Sequence, residues 1–181
     1  MEYNLMAVII NGTTGVSLVQ DGTITPAKTT GQHVCAQIVT FQTGAVATGT
    51  TVIPFDNTVP QITEGTQFLS LSITPTNASS TLEITVSTQA AHSDLSGIAT
   101  ALFQDSGTNA IAAMVQLNSV VNGSASVNFT HFMASGTTLS TTFKVRVGAG
   151  GPGTLTFNGT SGSQILGGVM ASRITIKEYL P

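Results

Sequence analysis

The sequence predicts an all-β protein, a two-sheet sandwich of Greek-key or jelly-roll type, and three observations carry that prediction. Apolar and polar residues alternate with a period of two in segment after segment, as in Thr81–Gln89, where Leu82, Ile84 and Val86 share one face and Glu83, Thr85 and Ser87 the other. Gly, Thr, Ser and β-branched residues interrupt every window long enough to show a helical 3.6-residue period. Turn vocabulary separates the alternating runs at regular intervals, with no intervening helical pattern.

The elements follow in order. Asn11-Gly12 and Asp21-Gly22 sit between the short apolar runs MAVII, VSLVQ and TIT, which is the chemistry of tight hairpin turns that need positive φ. Residues 1–31 therefore read as a small hairpin arm, and residues 32–181 as the main domain, or knob. In the knob the expected strands are VCAQIVTFQ, TTVIPF, QFLSLSI, TLEITVSTQ, GIATALFQ, AIAAMVQL, SASVNFTHFM, STTFKVRV, TLTFNG and SRITIKEY. The segments TPTNASS, DSGT, NG, SGTT and GAGGPG between them are turn and loop sequences.

Most strands have one apolar face, as Phe143, Val145 and Val147 have against Lys144 and Arg146. GIATALFQ and AIAAMVQL are apolar or small on both faces, and such strands need a second covering surface: another subunit or an unusually covered edge. Phe132, on the otherwise polar side of its strand, adds to this requirement. These features nominate Phe103, Met114 and Phe132 as contacts of a homotrimer. His131, which alternates with Phe129 and so points inward, is nominated as an axial residue.

Only 7% of the 181 residues are charged, where soluble domains average about 25%. Uncharged strands standing alone invite edge-to-edge pairing, so oligomer contacts are expected to hide them, with Thr and Ser dressing the remaining surface. Five Lys plus Arg against eight Asp plus Glu, without a basic cluster, exclude the phosphate-neutralising footprint of a nucleic-acid binder. The lone Cys35 offers no internal disulfide, fits a reducing cytoplasm, and reads as a small buried hydrophobe. Glu2 and an apolar run ending at Asn11 argue against an export signal or a membrane span.

Catalytic and metal chemistry is not nominated. GAGGPG satisfies GxGxxG but precedes a strand pattern, where a dinucleotide site requires a helix. His92-Ser93-Asp94 reads as a loop, because neighbours in sequence cannot adopt triad geometry. His33, His92 and His131 have no second His or Cys at ligand spacing. Asp56, Glu64, Asp94 and Asp105 read as turn caps. The expectation is a non-enzymatic protein with no cofactor.

The stretches ITPTNASSTLEI, ALFQDSGTNAIAA, TTFKVRVG, TFNG and GGVMASRITIKEY resemble a phage virion module, the jelly-roll knob similar to C1q and tumour-necrosis-factor domains that ends tail fibres or decorates heads. This resemblance covers the chain from about residue 40 onward. It implies a homotrimeric jelly roll with an aromatic and aliphatic axis. It further implies a virion location after assembly in the host cytoplasm, and a role as a capsid decoration or cement protein. The alternative is a receptor-binding tail fibre or tail-tip knob. Partners expected on this reading are further copies of the chain, the major capsid or another virion protein, and a host surface glycan or protein. Attachment to the particle is expected through the arm, by the apolar residues Leu5, Val8, Ile10, Val16 and Leu18.

Overall fold

A computed structural model describes residues 34–181. The expected arm and its candidates Leu5, Val8, Ile10, Val16 and Leu18 lie outside the described residues, as does His33. Within the knob twelve strands form: β1 (Cys35–Thr43), β2 (Ala47–Gly49), β3 (Thr66–Ile73), β4 (Thr81–His92), β5 (Ile98–Gln104), β6 (Ala112–Gln116), β7 (Ser124–Ala134), β8 (Thr141–Ala149), β9 (Leu155–Phe157), β10 (Gly159–Thr160), β11 (Ser163–Gln164) and β12 (Ser172–Tyr179). A short 3-10 turn at Leu166–Gly168 precedes the last strand.

The main strands build two antiparallel sheets. One contains β1-β12-β4-β7, with β9 and β2 continuing beside the far end of β4; the other is β3-β8-β5-β6. Taking the eight principal strands in chain order, the first pairs with the last (β1 with β12), the second with the seventh (β3 with β8), the third with the sixth (β4 with β7) and the fourth with the fifth (β5 with β6). That nesting is a long hairpin rolled across two sheets, which is jelly-roll topology.

Alternation decides what lies between the sheets. Leu82, Ile84 and Val86 of β4, Ile174 and Ile176 of β12, and Val127 of β7 meet Phe143, Val145 and Val147 of β8 and Ile98 and Leu102 of β5, all buried. Each large apolar side chain so buried contributes about 1.5–3 kcal/mol. Phe68, at the bulge between Gln67 and Leu69, stacks on Phe157 with ring centroids 4.4 Å apart. Between the two sheets the Thr88 and Thr100 hydroxyls, one from each sheet, lie 2.8 Å apart and satisfy each other.

A second, smaller core lies outside the four-stranded sheet, and it corrects two expectations. TTVIPF is not a strand; it crosses the outer face of β5 and β8 as the start of an irregular cover that continues to Gly65. Pro54 lacks an amide to give to a ladder. The segment is held instead by isolated bonds, from the Ile53 amide to the Ala149 carbonyl at 2.9 Å and from the Gly65 amide to the Val52 carbonyl at 2.9 Å. Under it Ile53 packs with Ala99, Ala101 and Phe103. Phe103 is 0% exposed, so its second face is covered by the chain itself and it is not a surface trimer contact.

Arg146 ties the cover down, donating from Nε to the Glu64 carbonyl at 2.8 Å and from a terminal nitrogen to the Gly65 carbonyl at 2.7 Å. Desolvation there lowers its pKa from the ordinary guanidinium value. Gly148 permits the close approach, since a Cβ on it would stand 2.8 Å from Ile53 Cγ1. Cys35 is a further correction: at the start of edge strand β1 it is exposed, not buried.

Candidate assembly surface at an uncharged sheet margin

Among the eight principal strands the sheet edges are β1, β3, β6 and β7, and none carries a Lys, Arg, Asp or Glu. β6 is the short one, paired to β5 through Ile98↔Gln116 to Leu102↔Ala112 and unpaired on its other side. Its side chains do not sink into the protein. Met114 and Val115 are 45% and 48% exposed, and Leu117 just beyond the strand is more open still.

The cover segment faces this edge. Ile53, Pro54, Phe55 and Pro60 on one side and Ala113, Met114 and Val115 on the other line an apolar groove of about 360 Å³. The Phe55 ring lies over the backbone of Gly97 and Gly150: a Cβ on either residue would meet it at 2.7 Å. Leu117 closes over Gly97 from the other side. Asp56 supplies the groove's carboxylate and is turned onto its own loop, accepting the Thr58 amide at 2.8 Å. The Thr58 hydroxyl and then its amide hold the Asp56 carboxyl below the usual range. A concave apolar surface beside an open, uncharged strand edge is suited to contact with another protein.

The other sequence-nominated residues distribute around this margin. Phe132, 60% exposed, stands on the outer face of the six-stranded sheet, on edge strand β7, which runs beside β6. There it ends a cross-strand row Ile38·Lys177·Glu83·Phe132, in which Lys177 Nζ lies 3.0 Å from Glu83 Oε1. The Tyr179 hydroxyl donates to the other Glu83 oxygen at 2.8 Å. Hydrogen bonds from Tyr179 and then Lys177 lower the Glu83 pKa, and Glu83 raises that of Lys177. The next row is four threonines, Thr40·Thr175·Thr85·Thr130, bonded pairwise at 2.9 and 3.2 Å. On this face a hydroxyl ladder lies beside one row of charged residues.

His131 faces inward between Phe129 and Met133, half-buried opposite Ile84. Met114 and Phe132 therefore remain surface candidates, Phe103 does not, and His131 sits between them on the inner side of β7.

The motifs weighed for chemistry resolve as local structure. The Asp94 amide donates to His92 Nδ1 at 3.2 Å, and the Ser93 hydroxyl accepts the Thr154 amide at 2.9 Å, so these three residues form a turn. GAGGPG joins β8 to β9, strand to strand. Asp105, expected as a turn cap, instead uses its carboxylate to tie the end of β5 to the start of β8, accepting the Thr141 hydroxyl at 2.8 Å and the Thr142 amide at 2.7 Å. Among the described residues no three His, Cys, Asp or Glu side chains gather as a metal site, and no helix is long and apolar enough to cross a membrane. Sequence reasoning missed the cover segment and its groove. Pro54, Pro60 and the paired glycines of GAGGPG were the available signals, since they mark backbone that leaves a ladder and backbone that another segment approaches closely.

No protein-family model and no curated protein matches the chain. Among solved structures it is similar to the infectious bursal disease virus Gx strain (12% identity, TM-score 0.37), covering 79% of this chain and 36% of that one. It is also similar to the VP2 subviral particle of infectious bursal disease virus (10% identity, TM-score 0.35), covering 80% of this chain and 40% of that one. The chain thus spans well under half the length of these structures. Its jelly-roll assignment rests on the strand pairing itself.

Proposed function

We propose that the protein is a non-enzymatic phage virion structural protein, a homotrimeric jelly-roll knob of the C1q and tumour-necrosis-factor type that decorates and cements the capsid exterior. The observation that carries the assembly half of this reading is the apolar groove beside the uncharged β6 edge, a surface that water covers poorly and a subunit covers well. The virion half draws on the resemblance of the strand and turn segments to phage knobs and on a surface of hydroxyl ladders without a charged cleft. In this role residues 1–31 attach the knob to the major capsid protein. Three linked attachments per trimer raise the cost of lattice separation without any chemistry.

Two measurements test the proposal. Sedimentation of the full chain is expected to give a trimer, and a stable monomer overturns the assembly half. Full-length protein is expected to bind undecorated heads and raise their resistance to heat, while a chain starting at Gln32 trimerises but does not bind. Binding of either form to host cells and not to heads transfers the protein to the tail as a receptor-binding knob.

A further inference from the structure

Away from the β6 groove, four segments line a pocket of about 350 Å³ formed by Ser93, Asn122, Thr154, Thr156, Ser161 and Gly162. These residues come from the end of β4, the turn before β7, the entry to β9 and the tip of the β10–β11 hairpin. Backbone and hydroxyl hydrogen bonds tie the frame together. The Asn122 amide donates to the His92 carbonyl at 2.8 Å, and the Thr160 hydroxyl donates to the Asn122 carbonyl at 2.7 Å, which joins two of the loops. Ser93 Oγ accepts the Thr154 amide and Thr156 Oγ1 accepts the Gly162 amide, each at 2.9 Å; Thr156 is buried, whereas the exposed Ser93 hydroxyl is oriented and retains a proton to donate. Among the described residues the Asn122 carboxamide and the Ser161 hydroxyl have no hydrogen-bond partner.

The backbone adds a second observation. Ser161-Gly162 is a two-residue hairpin turn with φ of 50° and 74°, and Asn122 has φ of 57°. Asn or Gly is the usual residue at the first position of such a turn, and serine there is strained. A local rule broken beside a pocket points to a requirement for the side chain.

We propose that this pocket binds one unit of a neutral carbohydrate. Its lining carries no charged side chain, so it has nothing to pair with a phosphate or a carboxylate. It presents one pre-oriented hydroxyl donor, that of Ser93, a carboxamide with both donors and acceptor, and a free hydroxyl, which match vicinal sugar hydroxyls. The volume lies at the lower end of ligand pockets. With no aromatic platform, single-site affinity is weak, and useful binding comes from several copies engaging one glycan surface. This inference holds for a head or a tail position and does not depend on the cement reading.

The test is an amide-shift titration of the full chain with methyl glucoside, methyl mannoside and methyl galactoside. Each is taken to about 100 mM, above the millimolar dissociation constant that a few neutral hydrogen bonds supply. Saturable shifts confined to the loops around Ser93, Asn122, Thr154 and Ser161 are expected with at least one sugar. Asn122→Gly and Ser161→Gly are each expected to weaken binding by roughly fivefold or more. Because glycine relieves the left-handed backbone, Ser161→Gly should keep or raise the melting temperature while losing affinity, which a merely structural serine would not do. No saturable change with any of the three sugars overturns the proposal. So does binding that survives both substitutions, or binding of sialic acid without the neutral sugars.

Discussion

At the scale of single residues, the one buried carboxylate of β12 governs how the fold meets acid. Glu178 is 0% exposed, yet it accepts Gln37 Nε2 at 2.6 Å, the Thr76 amide at 2.8 Å, the Thr76 hydroxyl at 2.9 Å and the Asn77 amide at 3.2 Å. Burial alone would raise its pKa; the Gln37 and Thr76 bonds outweigh it, with the buried Ser80 hydroxyl nearby adding to their effect, and bring it down to about 2. Because the folded value lies below the unfolded one, about 4.3, the stabilisation is complete above the unfolded pKa and disappears as pH falls from about 5 to about 2. The loss amounts to about 3 kcal/mol. Urea titrations across that pH range are expected to show this decline, and Glu178→Gln should be less stable at neutral pH and lose most of the decline. The Thr88–Thr100 pair allows a second check. Thr88→Val should cost roughly 1–3 kcal/mol by leaving the Thr100 hydroxyl buried and unpaired, while the double Thr88→Val, Thr100→Val variant should recover most of it.

At the scale of elements, β5 and β6 look alike in sequence and differ in fate. Both are apolar on two faces, but β5 is central and lies under the Thr50–Gly65 segment, while β6 is an open edge. Substitutions on the two strands should therefore fail differently. Phe103→Asp buries an unpaired carboxylate in the small outer core and is expected to unfold the knob, read as loss of the cooperative melting transition. Val115→Lys and Leu117→Lys place charge on side chains that are already exposed. They should leave the secondary structure and the monomer fold unchanged, shifting stability by roughly 0.5 kcal/mol or less, while moving the sedimentation coefficient from trimer to monomer. A trimer that survives both lysines would move the contact to the Phe132 face of β7.

For the whole molecule, the scarcity of charge links assembly to solubility. With one ion pair among the described residues and no charge on the four principal edge strands, little opposes edge pairing once a subunit of the proposed trimer is released. The monomeric Val115→Lys, Leu117→Lys variant is thus expected to aggregate faster than the assembled wild type, by light scattering at equal protein concentration. Adding a lysine to the open β7 edge at Thr130, on the outer sheet face, should slow that aggregation. No slowing would mean that β7 is not the aggregating edge.

Alternation is a local property, so which residues form strands and which side chains must leave water is legible along the chain. Nine of the ten expected strands overlap an observed strand, TTVIPF being the exception, and the inward set of β4, β8 and β12 is the one their sequence pattern implies. The same alternation placed His131 inward and Phe132 outward. What covers an apolar face is a long-range matter that no local pattern contains. The tertiary structure alone decided that Phe103 lies under Ile53, that Cys35 starts an exposed edge, and that Met114 and Val115 stay open beside Phe55. The hydroxyl pocket was equally invisible, since Ser93, Asn122 and Ser161 meet only after β7 has paired back onto β4 and the hairpin after β9 has folded over its end. Each of those residues is ordinary loop vocabulary until the rolled topology brings them together.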